Sequence, residues 1–404
     1  MKNQNQLSSR RKFLGMAGIG IAALTIAPHL ACKRGEKKQT IQGFEVIPES
    51  PDISKGWKSV SDRKIRMGII GHGLCQFGVQ FGFQNHPNVE IVAVSDLIPD
   101  RCSDMAKQSG CSKTYPSLEE LVKDDSIEAV FIATDAPSHA KHVIDALKHG
   151  KHVASAVPAV FGSLEDAEKV FEAVKSSGLK YMMFETSYFR EDLYAMRKIY
   201  EVGGLGKLMY SEGEYYHYMA EPLDSYNGWR IGLPPQYYPT HSNAYYIGVT
   251  GGSFTEVTCL GMPSILNHLK PENNRYKNLF GTEIAQFRTS EGGMSRMAVS
   301  LDTPGDEGER GRIRGQMGSF NGVYEGLEKI LPNMNRPPLP PGVPQGGHGG
   351  SHGYLMDEFV TSLLQDRKPA VDIGMALNMT VAGIVAHQSA LKNGELMKIP
   401  QFKI

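Results

Sequence analysis

The chain has 404 residues, with 43 basic side chains against 43 acidic ones and a formal net charge of zero. That length allows two or three domains with ample core, and the even charge, with no basic cluster beyond the leader, argues against nucleic acid as a partner. Its five cysteines, Cys32, Cys75, Cys102, Cys111 and Cys259, include no C-x-x-C pair, which excludes a zinc pattern and a disulfide framework.

Ser8-Ser9-Arg10-Arg11-Lys12-Phe13-Leu14 reads as a twin-arginine export signal. The apolar run from Phe13 to Ala27 is rich in Gly and Ala and shorter than the roughly 20 residues of a spanning helix. Ala31-Cys32 offers a cleavage point. Leu30-Ala31-Cys32 also resembles the end of a lipobox, with His29 where an aliphatic residue is usual, so a lipid anchor at Cys32 stays open beside simple cleavage. Residues 1–32 read as the signal peptide and 33–62 as a polar linker, which predicts a periplasmic protein. There Cys102 and Cys111 could pair; separate buried thiols are the simpler reading.

From Lys64 the pattern changes to short apolar runs separated by helical ones. Strands are predicted at 66–70, 89–94, 129–133, 152–155 and 180–184, with helices between them, for example at 139–149 and 164–177. Strands spaced this way form a parallel sheet covered on both faces. After a helix at 193–202 come alternating strands at 206–215, 255–259, 281–287 and 294–300, without regular crossovers, which predicts an open and mainly antiparallel sheet. A Pro/Gly-rich loop at 332–350 leads to helices at 354–365 and 375–391. The expected fold is an α/β chain: a Rossmann dinucleotide-binding domain at 63–185, an α/β substrate and dimerisation domain at 186–346, and C-terminal helices at 347–404 that pack back on the first domain.

Gly71-His72-Gly73 follows the first strand, and Asp96 closes the second, roughly 20 residues on. The third glycine of the fingerprint is missing: Gln76 stands there, and Gly78 comes two residues late. Glycines let the backbone approach a pyrophosphate. A carboxylate at Asp96 accepts from the ribose hydroxyls and repels a 2′-phosphate, so NAD is expected over NADP. An exported dinucleotide enzyme has no free nicotinamide pool to draw on. It must keep its cofactor and recycle it in place, which favours a redox-neutral reaction or two alternating substrates.

Ala133-Thr134-Asp135-Ala136-Pro137-Ser138-His139, with Ala146-Leu147-Lys148-His149-Gly150-Lys151-His152-Val153, resembles a block of the Gfo/Idh/MocA oxidoreductase superfamily. Most of that superfamily continues with Glu-Lys-Pro. This chain has Ala156-Val157-Pro158, so acid/base chemistry must come from the second domain. One subgroup without the lysine is the NAD-dependent glycosidases of glycoside hydrolase family 109. Several blocks are similar to theirs: Tyr181 to Thr186, Gly213-Glu214-Tyr215-Tyr216-His217, Trp229-Arg230, Tyr238-Pro239-Thr240-His241, Gly347-His348-Gly349-Gly350 and Ile399-Pro400-Gln401-Phe402. That resemblance implies Tyr215, Arg230, Tyr238, Thr240, His241 and Tyr324 around a sugar. On the cofactor side it implies Gly71, Gly73, Leu74, Cys75, Asp96, Thr134, Ala136, His139, Ala156, Val157 and Thr186. The chain departs from that subgroup at Leu74-Cys75-Gln76, Ala156, Thr186 and Tyr218-Met219-Ala220.

The residues themselves suit a sugar. Residues 210–246 are dense in tyrosine and carry Trp229, His217 and His241, giving aromatic faces and neutral donors for a substrate with no ionised handle. Oxidising a hydroxyl needs a base: His217 or Tyr215 is expected to take the proton, while His241 and Arg230 hold the sugar, with His241 the next candidate for the base. No H-E-x-x-H or close carboxylate spacing supports a metal. His348 and His352 lie in a Gly-rich loop and read equally as loop or lid. The leading reading is an exported sugar or glycoside oxidoreductase with tightly bound NAD. A glycosidase working through oxidation, elimination, hydration and reduction is the second, and a non-catalytic binding protein the third. A homo-oligomer through the open sheet face is compatible with each.

Overall fold

The computed structural model describes Gly43, residues 53–73 and residues 75–403. The export signal, Cys32, most of the 33–62 linker and Leu74 lie outside the described residues.

Six parallel strands build the first sheet: β1 (Ile65–Ile70), β2 (Val89–Ser95), β3 (Thr114–Tyr115), β4 (Ala129–Ile132), β5 (His152–Ser155) and β6 (Tyr181–Met183). Their order is β3-β2-β1-β4-β5-β6. β4 and β6 are buried along their whole length, as continuous apolar runs require when helices cover both faces. The covering helices include α2 (Pro99–Ser109), α4 (His139–Lys148) and α5 (Leu164–Ser177). Ser163 caps α5 by accepting from the Asp166 amide at 3.0 Å. Two shorter turns, α1 (Phe77–Gln80) and α3 (Leu118–Leu121), complete this half. The chain runs outward from β1 to β3, then returns to β4 on the other side of β1. This reversal opens a crevice at the C-terminal ends of β1, β2 and β4. β3 has two residues, too few for periodicity to show it in the sequence.

α6 (Glu191–Glu201) leads into a second sheet. It is built from β7 (Leu208–Tyr216), β8 (Phe254–Pro263), β9 (Phe280–Thr289), β10 (Met294–Ser300), β11 (Gly308–Gly315), β12 (Gly318–Phe320), β13 (Tyr324–Gly326) and β14 (Met397–Lys398). The order is β13-β12-β11-β7-β10-β9-β8-β14. All neighbours are antiparallel except β7 and β10, so the expected sheet is mixed at one pair. Period-two alternation on β7 turns Ser211, Gly213 and Tyr215 inward and Glu212 and Glu214 outward. α7 (Thr240–Thr250) lies against that inner face so closely that a Cβ on Gly213 would meet the Ser242 carbonyl oxygen at 2.0 Å.

The C-terminal segment forms the turn α8 (Gly347–Gly350), α9 (His352–Leu364) and α10 (Ile373–Leu391). α9 packs on β1. α10 does more: it touches β6 and α5 on one side and β8 and α7 on the other. A helix apolar all round is suited to that double contact. Cys102 and Cys111 are separate buried thiols.

Candidate active site

The crevice holds a cavity of about 320 Å³ whose lining includes Gly71, Gly73, Asp96, Thr134, Asp135 and Arg230. Gly71 has φ +87, and a Cβ there would meet the Ala133 carbonyl oxygen at 2.5 Å. Gly73 faces open space, the approach a pyrophosphate needs. The late Gly78 does the third glycine's work: a Cβ on it would meet Met105 Sδ at 2.6 Å and the Gly71 carbonyl oxygen at 2.8 Å. One Asp96 oxygen accepts from the His72 amide at 2.8 Å, and the other from the Ile98 amide at 2.8 Å. Asp96 thus fixes the glycine loop and still lines the cavity. These residues fit a dinucleotide.

A second, smaller cavity adjoins the first through Cys75, Phe77 and Arg230. Its other walls include Ala156, Val157, Thr186, Tyr215, His217, Tyr238, His241 and His348. The structure therefore gathers residues from both halves around one space. At about 30 Å³ it is far below the several hundred Å³ usual for a ligand site.

Four expected site residues are not brought to either cavity. Ala136 sits in the one-turn helix Ala136–Ser138 that turns it into the core. His139 is held behind the wall, with Nδ1 2.7 Å from the Pro158 carbonyl oxygen and Nε2 3.2 Å from that of Thr134. Thr240 is wholly buried at the start of α7. Tyr324 stands on β13, at the far edge of the second sheet, where its hydroxyl donates to the Gly204 carbonyl at 2.7 Å.

His241 occupies the first turn of α7, with Nδ1 2.8 Å from Glu185 Oε1 and 3.6 Å from Glu309 Oε1. Glu185 follows β6, and Glu309 pairs with Tyr215 across β11 and β7. Both carboxylates are buried. Burial alone would push the His241 imidazole down, but the charges of Glu185 and Glu309 and the Glu185 hydrogen bond outweigh it, and its pKa is raised. Glu309 is opposed by the same burial, yet His241, His348, Arg190 and the Ser187 hydroxyl hold it down at about 2. With Nδ1 engaged, Nε2 is the nitrogen His241 leaves for the cavity.

His217 behaves in the opposite way. Burial, then the charges of Arg230 and His241, lower its pKa to about 3, so it is neutral near pH 7. Tyr215, whose pKa burial raises well above the ordinary value, is a phenol; its hydroxyl shares a hydrogen bond with His217 Nδ1 at 3.1 Å. The Tyr215 ring lies 4.6 Å from that of His241, centre to centre. His348 stacks on His241 at 6.1 Å and is itself lowered to about 4, chiefly by burial. Sequence reasoning left Glu185, Glu309 and His348 out of the site. Glu185 and His348 stood inside quoted motifs, whereas Glu309 carried no sequence signal.

Residues 65–185 match the family model described as "Oxidoreductase family, NAD-binding Rossmann fold", GFO_IDH_MocA. The NAD-binding half of the chain is thus similar to the Gfo/Idh/MocA oxidoreductase family. Its cofactor is NAD. A glycosyl hydrolase family 109 protein of Stenotrophomonas maltophilia is 23% identical over 90% of this chain and 93% of its own length. The trans-1,2-dihydrobenzene-1,2-diol dehydrogenase of Bos taurus is 32% identical, over 37% of this chain and 45% of that enzyme. Among solved structures, scyllo-inositol dehydrogenase from Lactobacillus casei, with bound NAD(H) and scyllo-inositol, superposes with a TM-score of 0.65. It is 16% identical and covers 83% of this chain and 99% of its own, a likeness of fold.

Proposed function

We propose that the protein is an exported oxidoreductase that retains NAD and acts at a sugar hydroxyl, with His241 as the proton-transfer group. The observation that carries this reading is the Glu185–His241–Glu309 cluster beside Val157, in the cavity that adjoins the dinucleotide cleft. Bound NAD supplies a hydride acceptor. Glu185 holds Nδ1 of His241, which fixes the ring and directs Nε2 to the substrate hydroxyl. The neutral imidazole takes the hydroxyl proton and becomes an imidazolium between two carboxylates. Tyr215, Tyr238 and Trp229 offer aromatic faces to the sugar, and neutral His217 offers a hydrogen bond. The twin-arginine motif supports export, and outside the cytoplasm a retained cofactor is the form that can work. Exposed Leu260, Met262 and Met294 on the open side of the second sheet support a homo-oligomer.

A second reading is a glycosidase that oxidises the sugar, eliminates the aglycone and returns the hydride. It is favoured by the likeness, over nearly the whole chain, to a glycosyl hydrolase family 109 protein. The test is a panel of glycosides and free sugars added to purified protein, read as reduction of bound NAD and as release of aglycone. Reduction without aglycone supports the first reading, and aglycone with no net change in NAD supports the second.

A further inference from the structure

Around the two cavities one cation stands without a carboxylate beside it. Lys141 and Arg101, which line the cofactor cavity, have carboxylates at 2.7 Å (Glu119) and 3.9 Å (Asp224). Glu309 lies within 4.0 Å of both His241 and Arg190. Asp135 accepts from the Ser138 hydroxyl, and Asp96 from backbone amides. Arg230 has no carboxylate within 4.0 Å among the described residues. Its guanidinium carbon lies 4.2 Å from the centre of the Trp229 ring and 5.4 Å from that of Tyr238. Stacking covers the guanidinium plane but leaves N–H edges to donate. Arg230 is also one of three residues that line both cavities. Tyr238 also hydrogen-bonds the guanidinium, but a phenol carries no charge, and a partly buried cation without a carboxylate is unfavourable until a negative group meets it.

The backbone gives a second reason to look for an anion here. Phosphates usually rest on the N-terminus of the helix after the glycine loop. In this chain that helix is one turn, Phe77–Gln80, preceded by Gln76 in the left-handed conformation, so its dipole is small. Phosphate charge at this loop needs a side-chain counterpart, and Arg230 stands at the junction.

We propose that Arg230 is an anion clasp at the junction of the cofactor and substrate cavities, taking an anionic ligand oxygen from the NAD phosphates or from the carboxylate of an acidic sugar. The sugar arm rests on the oxidoreductase reading above. The clasp itself is read by binding, so failure of hydride transfer would not touch it.

The experiment compares the full protein with Arg230→Gln and Arg230→Lys, measuring NAD affinity after stripping and refilling, and sugar affinity for a uronic-acid glycoside against its neutral counterpart. One charge-assisted hydrogen bond is worth about ten- to a hundredfold in affinity. Loss of that size in NAD affinity for Arg230→Gln, with most of it kept by Arg230→Lys, assigns the clasp to phosphate. The same loss confined to the uronic-acid glycoside assigns it to an acidic sugar. Unchanged affinity for both ligands in Arg230→Gln overturns the proposal. Should Arg230→Gln fail to fold, the parent protein decides: salt-independent NAD binding together with equal affinity for acidic and neutral glycosides overturns it, and salt-sensitive NAD binding or a preference for the acidic glycoside supports it.

Discussion

His241 Nδ1 lies 2.8 Å from Glu185 Oε1, a contact that joins the end of the parallel sheet to α7 of the substrate half. Glu185 raises the proton affinity of the imidazole and fixes which nitrogen is left for a ligand. Because the pKa is raised, the neutral form that can accept a proton becomes available at higher pH than for an ordinary imidazole and grows as pH rises. Sugar oxidation is therefore expected to quicken through an alkaline-going limb. Glu185→Gln removes one negative charge and should move that limb to lower pH by about 1–3 units, the usual effect of a close opposite charge. The check is a pH–rate profile of bound NAD reduction; an unmoved limb would separate Glu185 from the base.

Neutral His217 should matter less than its position suggests. With its pKa near 3 it donates or accepts a hydrogen bond but holds no proton to exchange near pH 7. His217→Ala is expected to raise KM for the sugar while costing less turnover than His241→Gln. Steady-state kinetics on both variants decide, and the reverse ranking would return the base to His217.

The paired charges also set acid stability. Glu309 is held at about 2 in the folded chain, below its ordinary value of 4.5. Its contribution is thus fully present above pH 4.5 and is lost as pH falls toward 2. Glu309→Gln should flatten that loss and, by breaking a buried pair, cost about 3–5 kcal/mol at neutral pH. Denaturant melts of the two proteins across that range test it. Equal stability at neutral pH would mean the carboxylate is not paired in solution.

Much of this site was legible in the sequence. The alternation of β7 put Tyr215 on the inner face, and Tyr238-Pro239-Thr240-His241 marked the start of α7. Glu309 was not legible, because Gly308-Glu309-Arg310-Gly311-Arg312 reads as a charged, exposed strand. Only its register opposite Tyr215 turns it inward. Glu185 was visible at the end of β6, but a lone buried carboxylate has meaning only with the imidazole that meets it from 56 residues away. Tyr324 erred the other way: a sequence match cannot show that β13 lies at a sheet edge.

The late glycine is a separate test of the cofactor loop. A methyl on Gly78 meets the flexible Met105 side chain, which can give way, and the Gly71 backbone oxygen, which cannot do so cheaply. Gly78→Ala should destabilise by about 1–3 kcal/mol and weaken NAD binding. Calorimetric melts with and without NAD would show both effects, and a variant as stable as the parent would mean the loop packs more loosely.

Asp96 should make NAD bind better than NADP by about 1–3 kcal/mol, the range of a hydrogen bond to a charged group. Asp96→Asn keeps an acceptor for the loop amides and should narrow the gap. Titration of stripped protein with each dinucleotide measures it, and equal affinity of the parent for both would remove Asp96 from the ribose.

The most direct test of the whole account is a single turnover on the protein as purified, with its own nicotinamide and no NAD added. The account predicts that NAD survives extensive dialysis, that a sugar or glycoside reduces it, and that His241→Gln slows this step by about 10²- to 10⁴-fold without loss of bound NAD. Protein that loses its NAD on dialysis, or a His241→Gln variant that reduces it as fast as the parent, would contradict it.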